Sequence, residues 1–357
     1  MYRNYLELIS SRVENAEYVA ANTAEPIDAN TSGHGGILEK GFRISPADVG
    51  GRHSRCVHPL LETRLPDLGP WPEGTRVALA CSGGADSTFL ALAWQAWAQG
   101  KNLPSRVLVV DHGHRAESEA DAASAQDLYR GMGYQAEVLA PKVGGDTENE
   151  LRIARYEILA RACREGGETV LLMAHHADDL AETVLLRVFR GTGLKGLAGI
   201  PTRRTLAGGL EIRRPLLCLR REKIRENLVE RQQDWIEDQT NANPEISARN
   251  RLRLLMPQLS ELGTADPVVA VLRLSEEAAE WEETVLSLLA EASVWSELPP
   301  WLRKRKVADE LRVLGATVSP TRLRDIEFSL LEKGSAAVDR DTLLTVSGGT
   351  LHSRPRA

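Results

Sequence analysis

Six residues, Ser82-Gly-Gly-Ala-Asp-Ser87, stand where a short apolar strand, Val77–Ala80, turns into an amphipathic helix from Asp86. A glycine turn entering a helix gathers unpaired N–H groups, and the helix dipole adds positive potential, so the turn suits a phosphate. Gly83 and Gly84 let the backbone approach an anion, and Ala85 completes the cradle. Ser82, Ser87 and Thr88 are expected to add hydroxyl donors. Asp86 would repel a phosphate directly and reads instead as a Mg2+ ligand. No Gly-Lys-Ser/Thr follows, which excludes the loop of the common NTPases.

Three further groups carry chemistry. Asp111 lies just past a strand end, followed by His112, His114 and Arg115; an exposed His-rich turn is the competing reading. Glu148, Arg152, Arg155 and Tyr156 share one helix, where Glu148 and Arg152 are spaced for a plain surface ion pair. Near a triphosphate, Arg152 and Arg155 would instead stabilise charge on the α-phosphate during attack. His175, Asp179 and Glu182 open another helix, on one face. Carboxylates in a first turn are favoured by the dipole alone. The functional alternative has Asp179 and Glu182 gripping a cationic substrate while His175 works at the nucleotide. His-Glu-x-x-His is absent, so zinc protease chemistry is not indicated.

These residues need elements to hold them. Strands at 77–80, 106–110, 137–139 and 169–173 alternate with helices at 86–99, 117–132, 147–165 and 178–190. That alternation predicts an α/β fold with a doubly wound, mostly parallel sheet, ligands sitting off the strand carboxyl ends. Gly191–Gly199 is too glycine-rich for a helix interior and reads as a loop, either mobile over the site or a plain connector. Arg213–Leu217 reads as a last strand, Arg221–Arg231 as a helix, and Pro257 as the end of the domain's final helix. A long helix over 266–292 leads to a smaller, mainly helical unit with helices at 300–314 and 319–332 and a hairpin about Gly348-Gly349. The expected domains are a poorly ordered extension (1–62, containing His34, His53 and His58), a catalytic domain (63–260), a linking helix (261–294) and an accessory domain (295–357).

The chain has 357 residues, 42% hydrophobic and 26% charged, as ordinary globular proteins do. No apolar run approaches the roughly 20 residues of a membrane span, and the start lacks a signal-peptide core, so a cytoplasmic protein without membrane contact is expected. The four cysteines, Cys56, Cys81, Cys163 and Cys218, form no C-x-x-C pair. The net charge of −6 argues mildly against nucleic acid, yet arginines crowd residues 187–253, and local sign matters more than the sum.

The Ser82–Ser87 loop resembles the pyrophosphate-binding loop of PP-loop ATP pyrophosphatases. With it come Asp111-His-Gly-x-Arg115, Glu148-x-x-x-Arg-x-x-Arg-Tyr156 and Ala174-His-His-Ala-Asp-Asp-x-x-Glu-Thr183. Arg190-Gly-Thr-Gly193, Arg214-Pro-Leu-Leu217, Trp235-x-x-Asp238 and Arg249-Asn-x-x-Arg253 follow in order. Together these closely resemble the tRNA(Ile)-lysidine synthase family over about residues 74–260, and more loosely to 357. Residues 1–62 lie outside the resemblance, and His114 replaces a usually apolar residue. The resemblance implies an adenine nucleotide alpha hydrolase-like fold using ATP and Mg2+. It implies that ATP adenylates the wobble cytidine of a CAU-anticodon tRNA(Ile) at its 2-oxygen. Free L-lysine then displaces AMP, which makes the enzyme a C–N ligase. In that reading Asp179 and Glu182 clasp the lysine, Arg152 or Arg155 serves adenylation, and Asp111 and His175 contact nucleotide or cytidine. Arg190, Arg214, Arg249 and Arg253 would track the tRNA backbone, and a homodimer is left open. A PP-loop tRNA thiolation enzyme is the nearest rival, and a non-catalytic nucleotide-binding module is a rival of another class.

Overall fold

The computed structural model describes residues 65, 68–111, 118–140, 148–237, 248–263, 266–316, 318–340 and 342–355. Expectations for the 1–62 extension, Cys56, His112, His114, Arg115 and Asp238 fall outside these residues. The central layer is a six-stranded sheet of β1 (Val77–Cys81), β2 (Ser105–Val110), β3 (Gln135–Leu139), β4 (Val170–Met173), β5 (Arg203–Thr205) and β6 (Glu211–Arg213). Its order is β3-β2-β1-β4-β6-β5, parallel throughout except for the β5–β6 pair.

The strand pleat sorts the core into two layers. Val77, Leu79 and Cys81 face α1 (Ala85–Ala98) and α2 (Ser118–Gly131), whose Phe89, Leu90, Trp94, Ala125 and Tyr129 are buried there. Ala78 and Ala80 face α3 (Glu148–Gly166) through Ile158, Leu159 and Cys163. β1 and β4 run wholly buried, as parallel strands covered on both faces do. The chain winds outward from β1 to β2 and β3, then crosses back to β4 on the other side of β1. The switch point between β1 and β4 is therefore the crevice where a doubly wound sheet takes its ligand.

After β4 come α4 (Ala177–Phe189), the one-turn α5 (Leu194–Leu197), α6 (Arg221–Glu230) and α7 (Ala248–Ser260). Then follow α8 (Pro267–Glu291), α9 (Pro300–Val313) and α10 (Pro320–Lys333), and an antiparallel sheet of β7 (Ser335–Ala337), β8 (Thr342–Ser347) and β9 (Thr350–Pro355). Three expectations change here. The last strand of the six-stranded sheet is β6, and Pro215–Cys218 is a 3-10 turn because Pro215 cannot donate to a ladder. Pro257 lies inside α7 instead of ending it, since Met256 packs against Ala177 and Ala181 and holds the helix through the break. The glycine-rich stretch contains α5 and is pinned: Arg187 donates to the Gly196 and Gly199 carbonyls at 3.0 and 2.9 Å.

Candidate active site

The turn at the end of β1 is built as an open anion cradle. Gly84 is the N-cap of α1 and no side chain caps it, so first-turn N–H groups remain available to a ligand. Gly83 has φ +86°, and a Cβ there would stand 2.7 Å from Ile236 Cδ1, so glycine is required twice over. Its N–H donates to the Tyr129 hydroxyl at 3.1 Å, and its carbonyl accepts the Ile236 N–H at 2.9 Å. The Ser87 hydroxyl donates to the Gly84 carbonyl at 2.9 Å, accepts the Ser82 N–H at 3.2 Å, and lies 3.0 Å from Tyr129 Oη. Thr88 donates to the Gly83 carbonyl at 3.2 Å. Ser87 and Thr88 are both buried, so their hydroxyls brace the loop and are not free donors for a phosphate; that expectation is corrected. Ser82 is exposed, while Ala85 packs inward.

Asp86 points back across the crevice to α4. His176 caps α4, its Nδ1 accepting the Asp179 N–H at 3.3 Å while Asp179 accepts the His176 N–H at 3.2 Å. That assignment leaves the proton on Nε2, 3.5 Å from Asp86 Oδ2 and 3.4 Å from Asp179 Oδ2. Burial opposes charge on this fully buried ring, but Asp86 and Asp179 outweigh it and raise its pKa. Burial likewise works to raise Asp179, and His176, through its charge and its backbone N–H, outweighs it and holds the carboxyl low. The other Asp86 oxygen, Oδ1, is buried without a hydrogen-bond partner. Among the described residues no group of three ligating side chains gathers. A single orphaned carboxylate oxygen beside a phosphate cradle fits Mg2+, which takes most of its other ligands from phosphates and water. Asp111, at the end of β2, receives the Ser118 hydroxyl at 2.6 Å.

On the α3 side of the switch point Arg152, Arg155 and Arg214 collect, and among the described residues no salt bridge reaches them. Arg214 is 2% exposed, donating to the Pro201 carbonyl at 2.6 Å and the Tyr156 hydroxyl at 3.5 Å. Arg155 and Arg214 each keep a buried Nε without a partner, and so does Nδ1 of His175. Burial, and then the charge of Arg152, lowers the pKa of both Arg155 and Arg214. Burial works to raise Tyr156, and Arg152 and Arg214 outweigh it and lower it. His175 is pushed down to about 3, by burial first and by the same arginines against the pull of Asp179. It is therefore a neutral hydrogen-bonding ring at neutral pH. Such a cluster is short of one thing, an anion.

Several expected roles move. Arg214 belongs to this interior cluster and cannot lie along an RNA backbone. Arg253 donates to both oxygens of Glu182, at 2.6 and 3.1 Å, and sits 3.6 Å from Asp179; Arg249 lies 3.4 Å from Glu182. Arg249 and Arg253 thus neutralise the carboxylate pair, and a substrate ammonium would reach Glu182, itself 2% exposed, only in competition with them. Arg190 alone of the four expected RNA contacts is exposed. Tyr129, His176 and Ile236 were not singled out from the sequence; the doubled histidine after β4 was the visible signal for His176.

The PP-loop domain family matches residues 58–259. The tRNA(Ile)-lysidine synthase of Methylobacterium nodulans is 34% identical over 320 residues, covering 81% of this chain and 92% of that protein. The chain belongs to the tRNA(Ile)-lysidine synthase family. The synthase of Hyphomonas neptunium is 32% identical over 75% of this chain and 78% of its own length. That of Pseudomonas aeruginosa is 36% identical over 74% of this chain, which spans 62% of its length. Among solved structures, the U34-tRNA thiolase NcsA of Methanococcus maripaludis, described with its [4Fe-4S] cluster, superposes with TM-score 0.50 at 17% identity. The match covers 62% of this chain and 78% of that one, a likeness of fold alone. In this lysidine synthase family member, burial pushes the Cys81 and Cys163 thiols up to about 12, far from the thiolate that sulfur chemistry uses.

Proposed function

We propose that this chain is an ATP-dependent ligase that joins L-lysine to C2 of the wobble cytidine in a CAU-anticodon tRNA(Ile), releasing pyrophosphate and AMP. One juxtaposition carries the reading: an uncapped glycine cradle, an anion-starved arginine cluster and a carboxylate pair meet at one switch point. The cradle holds the β- and γ-phosphates on backbone N–H groups of the first α1 turn. Asp86 would hold Mg2+ with phosphate oxygens, and the ion when bound neutralises charge on the triphosphate.

The cytidine 2-oxygen attacks the α-phosphorus, and the bond to pyrophosphate breaks. Arg155, with Arg152 and Arg214 beside it, stabilises the charge that builds there in a site where water is scarce. Lysine enters as an ammonium, is held by Asp179, and must lose a proton before it attacks C2. The C2–O bond then breaks and AMP leaves with the former 2-oxygen. His176 ties Asp86 to Asp179 and so keeps the phosphate end and the amine end in fixed relation.

The test is purified protein with ATP, labelled lysine and unmodified tRNA. Label should pass to a CAU-anticodon isoleucine tRNA and not to one whose wobble base is changed to uridine. Label on both tRNAs, or on neither, would contradict the assigned substrate. Asp86→Asn should lower the rate by roughly 100-fold or more.

A further inference from the structure

One phenol holds the phosphate turn from behind. Tyr129, in the last turn of α2, is fully buried, and its hydroxyl lies 3.1 Å from the Gly83 nitrogen and 3.0 Å from Ser87 Oγ. Ser87 has a single hydroxyl hydrogen, and it goes to the Gly84 carbonyl at 2.9 Å. The Tyr129 hydroxyl therefore donates to Ser87 while it accepts the Gly83 N–H. Ser87 Oγ also accepts the Ser82 N–H at 3.2 Å, so both of its lone pairs are filled. A directed chain results, from the Gly83 N–H to Tyr129, to Ser87, to the Gly84 carbonyl, with the Ser82 N–H entering at Ser87. Burial pushes the Tyr129 phenol well above its ordinary value, so it keeps the hydrogen that the chain needs.

This chain decides which groups face a ligand. A glycine peptide turns outward as readily as inward, and Gly83, at φ +86°, has no side chain of its own to choose between them. Without the Tyr129 hydroxyl, the Gly83 N–H would be a buried orphan or would swing toward an anion. We infer that Tyr129 is a positioning residue that selects the N–H groups offered to the phosphates. It withdraws that of Gly83 directly and that of Ser82 through Ser87, and leaves those from Gly84 onward in the uncapped first turn of α1. The exposed Ser82 hydroxyl, 3.4 Å from a Ser87 oxygen already filled, stays on the ligand side. A nucleotide then meets a cradle already set, and no peptide has to rotate as it binds. The identity of the anion rests on the ligase reading above; the selection of N–H groups rests on the hydrogen bonds alone.

Residue-resolved amide hydrogen exchange, followed by NMR on the full chain with inorganic pyrophosphate as the probe, tests this. In wild type the Gly83 amide should be protected without ligand and gain little from pyrophosphate, whereas first-turn amides of α1 should gain about 10-fold. In Tyr129→Phe the Gly83 amide should lose about 10-fold of its ligand-free protection and recover it only with pyrophosphate. The KM for ATP should rise about 5- to 10-fold in that variant and kcat should fall by much less, because ground-state binding is what the hydroxyl prepares. Thr88→Val removes the hydroxyl behind the Gly83 carbonyl and controls for simple loosening of the turn: it should leave the Gly83 amide protected. A wild-type Gly83 amide that is unprotected, or that gains as much from pyrophosphate as the first-turn amides, would overturn the inference. So would a Tyr129→Phe variant whose KM does not rise, or a Thr88→Val variant that exposes the Gly83 amide equally. Lysine transfer to tRNA is scored separately: its absence beside the expected exchange pattern would overturn the reaction and leave the role of Tyr129 standing.

Discussion

Arg155 and Arg214 are guanidinium groups held where charge is costly, each with a buried nitrogen that nothing in the described chain satisfies. An α-phosphate gaining charge is the ligand that repairs this, so the benefit should appear in the transition state. Arg155→Lys should lower kcat by about 100-fold with little change in the KM for ATP, because one point charge cannot replace two aligned donors. A raised KM with unchanged kcat would show ground-state binding instead. His175 supplies a second residue-scale test. Its folded pKa of about 3 lies below the ordinary 6.5, so between these values the unfolded chain binds a proton that the folded chain refuses. The stability contributed by the neutral ring is therefore complete above 6.5 and is lost as pH falls toward 3. Denaturation midpoints should drop between about pH 7 and pH 5 in wild type and drop less in His175→Gln; equal drops would refute the assignment. The motif around these residues was legible from spacing, but their surroundings were not. Ser87 and Thr88 look like phosphate donors until Tyr129, more than forty positions away, is found bracing Ser87 and the Gly83 N–H from the inside.

The helices carry the second lesson. α4 presents Asp179 and Glu182 as its sequence spacing requires, and α7 then closes over them with Arg249 and Arg253. Glu182→Gln would leave two guanidinium groups facing a neutral amide at a buried position. A loss on the order of 3 kcal/mol in unfolding free energy is expected, read from chemical denaturation, beyond any loss of lysine transfer. A stable but inactive variant would mean that Glu182 is spent on substrate alone. Charge density in the sequence could not reveal this pairing, since Glu182 and Arg253 are joined only by tertiary packing. The alternation of strands and helices through α4 follows from local pattern, whereas the strand order and the His176 cap of α4 are set by tertiary packing. β5 escaped notice because three exposed residues, Arg203–Thr205, carry no hydrophobic alternation.

At the scale of the molecule, the arginine-rich span divides into interior and surface sets. Arg213 stacks 4.2 Å from the Trp71 ring centroid and Arg214 lines the site, whereas Arg190 and Arg204 face solvent. Only the second set can displace counterions from RNA. Replacing Arg190 or Arg204 by alanine should each reduce the log–log salt slope of tRNA binding by about 1. An unchanged slope would place the RNA on another face. The C-terminal helices are joined to the six-stranded sheet and its helices through α8, whose Val271 and Leu272 pack on Leu180 and Val184, and through Lys195 bonding Asp309 at 2.9 Å. The catalytic layer itself stands or falls on where the triphosphate is cut. Incubating the protein with ATP labelled at the α-phosphate, tRNA and lysine, and separating the products, measures that directly. AMP formed in step with lysine joined to tRNA is the predicted result, and label recovered as ADP would contradict it.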